Sequence, residues 1–448
     1  MRNQTAGWLA DAAGGRLAAG DANAGGPRKA TIDTRETGAN DLFVGLRGEH
    51  ADGGAHAPDA LAAGAWGVLV SPEHEERVTV AARDGAVVIV ASDPLAALQN
   101  LARAWRRQLG SKVVGVTGST GKTTTKDILA AVLAPHLTTH ANQENLNTEI
   151  GLPLTILEAD AGTQALVLEV AMRGEGQIAE LVEIAEPDVG VIVNVGPVHL
   201  ELLGTVERVA AAKAELIRDL PAGGACVVPA GESLLQQHLR DDLDTITFGP
   251  GGEVMLLSFD ARADGRSGTA EIEARGDRFL LDLPYAEPHN LLNTLAAVAA
   301  AQAVGVRPSG AVDVSFSSLR GEIVELPGGV TVVNDCYNAN PMSMRAALKH
   351  LVETPAQRRV AVLGTMAELG AGSEGFHREI GAEAAALGID VLITVGEPAL
   401  AYGEGFDGET YAVPTPEEAG ALLEEIAQPG DRVLVKGSRS AGLERVLA

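Results

Sequence analysis

The run Val113-Val114-Gly115-Val116-Thr117-Gly118-Ser119-Thr120-Gly121-Lys122-Thr123-Thr124-Thr125 places an apolar strand, a glycine turn, a lysine and several hydroxyls in direct succession. A strand that enters a glycine turn and opens a helix aims backbone N–H groups at a phosphate chain. Lys122 can reach the outer phosphates, and the Thr123 hydroxyl can ligate Mg²⁺. Thr117, Gly118, Ser119, Thr120, Gly121 and Thr124 complete the cradle. The standard phosphate loop also has a glycine five positions before the one that precedes its lysine, and here Val116 stands there. Strand, turn and helix nevertheless agree, so binding of a nucleoside triphosphate is the expected chemistry.

Two further side chains fall at the same sheet edge. Glu169 lies near the end of the apolar run 165–170, where a carboxylate is costly unless it is paired or metal-bound. His199 follows the next run, 189–194. If these strands are parallel, Thr123, Glu169 and His199 can hold Mg²⁺ beside the phosphates. Taken singly, Glu169 equally reads as a salt-bridge partner and His199 as a capped loop residue. Lys213, on the helical stretch 209–216, reads by pattern as a solvated helix lysine. Asp335 ends a strand and suits ribose hydroxyls, or else caps a helix.

The elements that must position these residues are legible in outline. At 448 residues the chain is too long for one core and predicts about three domains. Strand-like 41–46, 67–70 and 86–90, with a helix over 58–65, form a small mixed α/β domain. Ser92-Asp93-Pro94 then starts a helix that runs to Gln108, which sets the first boundary at 94. The second domain, 95–312, alternates buried parallel strands and helices. Its stretch 255–283 alternates apolar and polar residues as an antiparallel extension, and Pro288 opens an alanine-rich helix ending near Gly305. In the third domain, 313–448, strands at 330–333, 359–363, 391–395 and 432–435 are separated by helices. This predicts a doubly wound parallel sheet with ligands at the strand C-terminal ends.

Composition excludes several partners. The 34 Lys+Arg against 60 Asp+Glu give a net charge of −26, which repels nucleic acids and anionic membranes. With Cys226 and Cys336 alone there is no disulfide framework and no zinc-ligand spacing. No apolar run is long enough for a membrane span, and the N-terminus lacks a signal-peptide core, so a cytoplasmic protein is expected; a monomer is the expected state.

The loop 117–124 and the block Asn145-Leu146-Asn147-Thr148-Glu149-Ile150-Gly151-Leu152-Pro153 resemble those of the Mur ligases, which build the bacterial peptidoglycan precursor. Asn334-Asp335-Cys336-Tyr337-Asn338-Ala339-Asn340-Pro341, Met366-Ala367-Glu368-Leu369-Gly370 and Lys436-Gly437-Ser438-Arg439-Ser440 resemble the MurF type within that family. The resemblance implies three domains: a small N-terminal α/β domain for the UDP-linked substrate, a central parallel-sheet ATPase domain of the P-loop type, and a C-terminal Rossmann-like domain. It implies ATP and Mg²⁺ as cofactors, with UDP-N-acetylmuramoyl-tripeptide and D-alanyl-D-alanine joined through an acyl phosphate. It further implies Glu169 and His199 as Mg²⁺ ligands, a carbamylated Lys213, Asn290 near adenine, Arg320 on the phosphates and Asp335 on the ribose. Thr34, Arg35 and Arg47, within Thr31-Ile32-Asp33-Thr34-Arg35 and Gly45-Leu46-Arg47-Gly48, resemble the UDP-binding pattern. Asn145, Asn338, Asn340, Lys436 and Arg439 are carried over as substrate contacts, the last two facing the dipeptide carboxylate. The alternatives are a ligase adding a single amino acid, of the Mur or folylpolyglutamate type, and an ATP-hydrolysing switch or binding module.

Overall fold

The structure, a computed structural model, describes residues 1–48, 51–83, 85–143, 145–263, 265–317 and 319–447. Three sheets follow one another along the chain, in a mixed α/β arrangement with mostly parallel strands.

The first sheet runs Arg16–Ala19, Val87–Val90, Gly67–Val70, Leu42–Val44, Ala30–Thr31, all parallel except the first strand. Its central strands are short, fully buried Val/Leu/Ile/Phe runs, as two-sided burial requires. The helix Pro94–Leu109 leaves this body. Asp93 caps it by accepting from Leu95 N and Ala96 N, Pro94 supplies a preset φ, and Gly110 ends it at φ +65°. Its buried face (Leu98, Leu101, Ala102, Trp105) lies in one apolar cluster with Leu9 and Ile89 of the first body and Leu152, Ile156, Leu166 and Leu168 of the second. The two bodies therefore share a core through this helix.

The second sheet has ten strands. Its parallel half reads Asp244–Phe248, Ala225–Pro229, Val189–Ile192, Lys112–Thr117, Ala165–Glu169, Thr139–Ala141. The expected extension is there as antiparallel Val254–Ala261, Gly268–Ala274 and Asp277–Leu283. The helices Lys122–Leu133 and Pro288–Ala303 pack together on one face, and Val206–Arg218 lies against the other.

The third sheet is ordered Glu322–Leu326, Val330–Asn334, Asp431–Lys436, Arg358–Gly364, Val391–Val395, Glu409–Val413; only its first strand is antiparallel. The four expected strands are its centre. Both edge strands, Glu322–Leu326 and Glu409–Val413, escaped the sequence reading, as did Arg16–Ala19 in the first sheet. Each includes a charged residue and none is buried, so no apolar run marks it.

The third body closes on the second. Met342 packs so tightly on Gly196 that a Cβ there would lie 1.8 Å from its Sδ. Glu201 N donates to Glu368 O at 3.2 Å, and Ser317 N and Oγ both donate to Asp127 Oδ2 at 3.1 Å.

Candidate active site

The phosphate-loop turn is built by Gly121, which caps the helix Lys122–Leu133 at φ +72°. Added carbon at this position would meet Asn293 Oδ1 at 2.7 Å, so both the left-handed backbone and the close approach of the helix Pro288–Ala303 require glycine. The amides of the first helical turn have no carbonyl partner within the helix, which leaves them for an anion. Ser119 N and Thr120 N are different. They donate to Asn194 Oδ1 at 3.1 and 2.9 Å, and Asn194 Nδ2 returns a bond to Thr120 Oγ1 at 2.9 Å. This half of the loop is locked to the end of the neighbouring strand. Ser119 Oγ adds to the lock, donating to Gly196 O at 3.1 Å.

Glu169 is 2% exposed at the end of its strand. Thr123 Oγ1 donates to its Oε2 at 2.6 Å and Asn147 Nδ2 to its Oε1 at 2.8 Å. Asn142 holds its backbone: Glu169 N donates to Asn142 Oδ1 at 2.8 Å. The salt-bridge reading of Glu169 fails, since both carboxylate partners are neutral. A buried carboxylate with only neutral donors, beside a threonine hydroxyl, is a hard-oxygen set suited to a divalent cation, and the residues present fit Mg²⁺. Thr117 Oγ1, buried on the adjoining strand end, has no partner among the described residues.

Two lysines converge on one carbonyl. Lys122 Nζ and Lys213 Nζ donate to Gly118 O at 2.9 and 3.0 Å. Lys213 is 2% exposed, so the solvated-lysine reading of its pattern is overturned. Burial, reinforced by the Lys122 charge, pushes its ammonium well below the usual lysine range. Lys122 retains some accessible surface; burial lowers its pKa, Glu169 opposes, and Arg320 adds to the lowering.

His199 sits at φ +53° just before the short helix Leu200–Leu203. Its side-chain contact runs to the third body: Nδ1 lies 2.5 Å from Glu368 Oε2. Of the expected grouping, Thr123 and Glu169 meet directly and Lys213 reaches the loop carbonyl, whereas the side-chain contact of His199 is to Glu368.

Arg320 stacks on Tyr337, its Cζ 4.1 Å from the ring centroid, and its buried Nε has no partner among the described residues. Asn290 lies in the first turn of its helix and bonds Glu287 Oε2 at 3.2 Å. Asp335 is held by Lys436 Nζ at 2.6 Å. That lysine also donates to Asn338 O at 3.0 Å and is 2% exposed. Expected to face a dipeptide carboxylate, Lys436 instead uses its donors to hold the 335–338 turn. Asn340 likewise has an internal role, capping the helix Pro341–Glu353 through Ser343 N at 3.0 Å. Asn145, Asn338 and Arg439 are exposed. In the first body Thr34 is half-buried, Arg35 pairs with Asp33 at 2.5 Å, and Arg47 is exposed, 4.0 Å from Glu73. Among the described residues the one cluster of His and acidic ligand atoms close enough to share an ion is Asp52, Glu73 and His74, in this body and away from the phosphate loop.

Known proteins share this arrangement. Residues 116–301 match the Mur ligase middle domain, and residues 319–439 match the Mur ligase glutamate ligase domain. A UDP-N-acetylmuramoyl-tripeptide–D-alanyl-D-alanine ligase of Synechocystis is 37% identical over 438 residues, covering 93% of this chain and 90% of that protein. The chain belongs to the Mur ligase family, in its MurF branch. Solved MurF structures agree. That from Acinetobacter baumannii matches at a TM-score of 0.86 and 28% identity, over 99% of this chain and 98% of that one. MurF from Thermotoga maritima, solved in complex with ADP, matches at 0.80 and 30%, over 94% and 96%. As a Mur ligase the chain is an enzyme that forms bonds by ligation. No helix among its described residues is long and apolar enough to cross a membrane.

In this Mur ligase the sequence reading missed Asn142, Asn147, Asn194, Asn293 and Glu368 as site residues. The signal for three of them was position: Asn142 follows the strand Thr139–Ala141, Asn147 sits five residues on, and Asn194 ends the run after Val189–Ile192.

Proposed function

We propose that this Mur ligase joins D-alanyl-D-alanine to a UDP-N-acetylmuramoyl-tripeptide in peptidoglycan precursor synthesis, with ATP as co-substrate. The observation that carries the reading is the buried Glu169 carboxylate, bonded to Thr123 and Asn147 at the mouth of a phosphate loop whose Gly118 carbonyl gathers Lys122 and Lys213. The bodies divide near residues 94 and 312, with the substrate's UDP in the first, near Thr34, Arg35 and Arg47.

In the first step a carboxylate oxygen of the tripeptide attacks the γ-phosphorus of ATP, and ADP leaves. In the second, the dipeptide amine attacks the acyl carbon, and phosphate leaves from the tetrahedral intermediate. The free amides of the 121–124 turn and the Lys122 ammonium hold the phosphates in line. Arg320, with its unpartnered Nε, adds positive charge from the third body, Asp335 accepts from the ribose hydroxyls, and Asn290 lies by the adenine. Thr123, Glu169 and His199 would hold Mg²⁺, joined by Lys213 once carbamylated. A bound Mg²⁺ supplies neutralisation of the charge on the transferring phosphoryl group. Lys213 suits the modification because addition of CO₂ needs a neutral amine, which burial favours. Closure of the third body keeps water off the acyl phosphate.

An amine screen tests the reading. ADP release in the presence of ATP and UDP-tripeptide should be stimulated by D-alanyl-D-alanine and not by single amino acids. Stimulation by a lone amino acid but not the dipeptide would overturn it. Equal ATP hydrolysis with and without both acceptors would instead favour a nucleotide switch.

A further inference from the structure

His199 and Glu368 face each other across the boundary between the second and third bodies. Both are non-glycine residues with left-handed backbone, at φ +53° and +61°. Such conformations persist where surrounding contacts over-determine them. The contacts here are of three kinds. His199 Nδ1 is 2.5 Å from Glu368 Oε2. Glu201 N, two residues past the histidine, donates to Glu368 O at 3.2 Å. The backbones themselves touch, since a Cβ on Gly370 would lie 3.0 Å from Glu201 Cα. Arg173 completes the group, its Nε 3.4 Å from Glu368 Oε1.

An ionised carboxylate can only accept, so the ring nitrogen that meets Glu368 must carry the proton. In the neutral ring that leaves Nε2 with its lone pair exposed. A ring N–H donated to a carboxylate is how a metal-binding histidine is fixed in tautomer and direction. Here the carboxylate comes from a different body than the histidine.

We propose that Glu368 is a positioning residue for the ligation: from the third body it fixes the His199 ring as the Nδ1–H tautomer, so that Nε2 is presented as a ligand only when the two bodies are closed. The inference rests on the reading of His199 as an Mg²⁺ ligand, and it deepens that reading by making the ligand conditional on closure. Lys122, Glu169 and the phosphate loop all lie within the second body and need no such partner. Loop assembly and ligand presentation are therefore separable events.

The test uses the full-length protein labelled with ¹⁵N-histidine, free of Mg²⁺ and with ADP bound; the His199 signal is assigned by its loss in His199→Ala. Wild type should show His199 as the Nδ1–H tautomer. Glu368→Ala should lose that tautomer, and Glu368→Gln, whose amide oxygen still accepts, should keep it. In turnover assays Glu368→Ala should raise the Mg²⁺ concentration for half-maximal rate by about 10- to 100-fold, with substantial recovery in Glu368→Gln. An unchanged tautomer in Glu368→Ala, or an unchanged Mg²⁺ requirement, would overturn the proposal. Should His199→Ala leave the Mg²⁺ requirement at the wild-type value while the tautomer still follows Glu368, the failure lies in the reading of His199 as a ligand.

Discussion

Replacing Lys213 by methionine isolates the feature on which the modified-lysine chemistry depends. Lys213 is 2% exposed, its Nζ bonds Gly118 O at 3.0 Å, and it joins no salt bridge among the described residues. Burial is the main cause of its lowered pKa, with repulsion from Lys122 second. The unfolded chain holds this proton up to the ordinary lysine value of 10.5, whereas the folded chain releases it well below. Between those two values the unfolded state binds one proton more, so folding stability rises with pH. The slope reaches about 1.4 kcal/mol per pH unit for one proton. Below the depressed value and above the ordinary one, the contribution is flat. Methionine keeps an unbranched apolar stem of similar reach and has no such dependence. Gly118 O retains Lys122 Nζ at 2.9 Å, so no buried acceptor is abandoned. Lys213→Met should therefore be more stable than wild type at neutral pH, and the gap should shrink as pH rises toward the lysine value. Urea unfolding followed by circular dichroism from about pH 7 to about pH 10, in CO₂-depleted buffer without Mg²⁺, measures it. A gap that stays constant across that range would refute the argument that Lys213 is buried as the neutral amine.

Three other outcomes follow from the same geometry. Thr123→Val removes one of the two side-chain donors to the buried Glu169 carboxylate, a loss of about 1–3 kcal/mol in stability; phosphate release during turnover should fall by about 10²-fold or more. Gly121→Ala forces an L residue into φ +72°, at about 1–2 kcal/mol, and drives Cβ against Asn293; ADP affinity by calorimetry should drop, with partial recovery when Asn293→Ala is added. Asn194→Ala frees the Thr120 amide from its acceptor and leaves Ser119 N only the residue-194 carbonyl at 3.1 Å; the loosened loop should weaken ADP binding by about tenfold, equivalent to about 1.4 kcal/mol.

Much of the site could be read from the sequence because the fold there rests on short-range rules. An apolar strand, a glycine turn and a helix fix Gly121, Lys122 and Thr123 without reference to anything distant. Parallel strands then bring Glu169 and the segment leading to His199 to the same edge, since residues 112–117 pair with both 165–169 and 189–192. What stayed hidden depends on side chains meeting across long separations. Nothing in the pattern around Lys213 distinguishes it from a surface lysine; its burial follows from how the helix Val206–Arg218 lies on the sheet. The pairing of His199 with Glu368 spans 169 positions and two bodies, and no periodicity encodes it. Lys436 read as facing the dipeptide carboxylate because Asp335, its partner, is 101 residues away. Edge strands such as Glu322–Leu326 were missed for the opposite reason: one exposed face and two glutamates leave them looking like loop.

In the proposed reaction the tripeptide carboxylate is phosphorylated before the amide forms. With both oxygens of that carboxylate labelled with ¹⁸O, full-length enzyme, ATP, Mg²⁺ and D-alanyl-D-alanine should yield inorganic phosphate that carries one labelled oxygen and an amide that keeps the other. Phosphate released without label, alongside the ligated product, would contradict it.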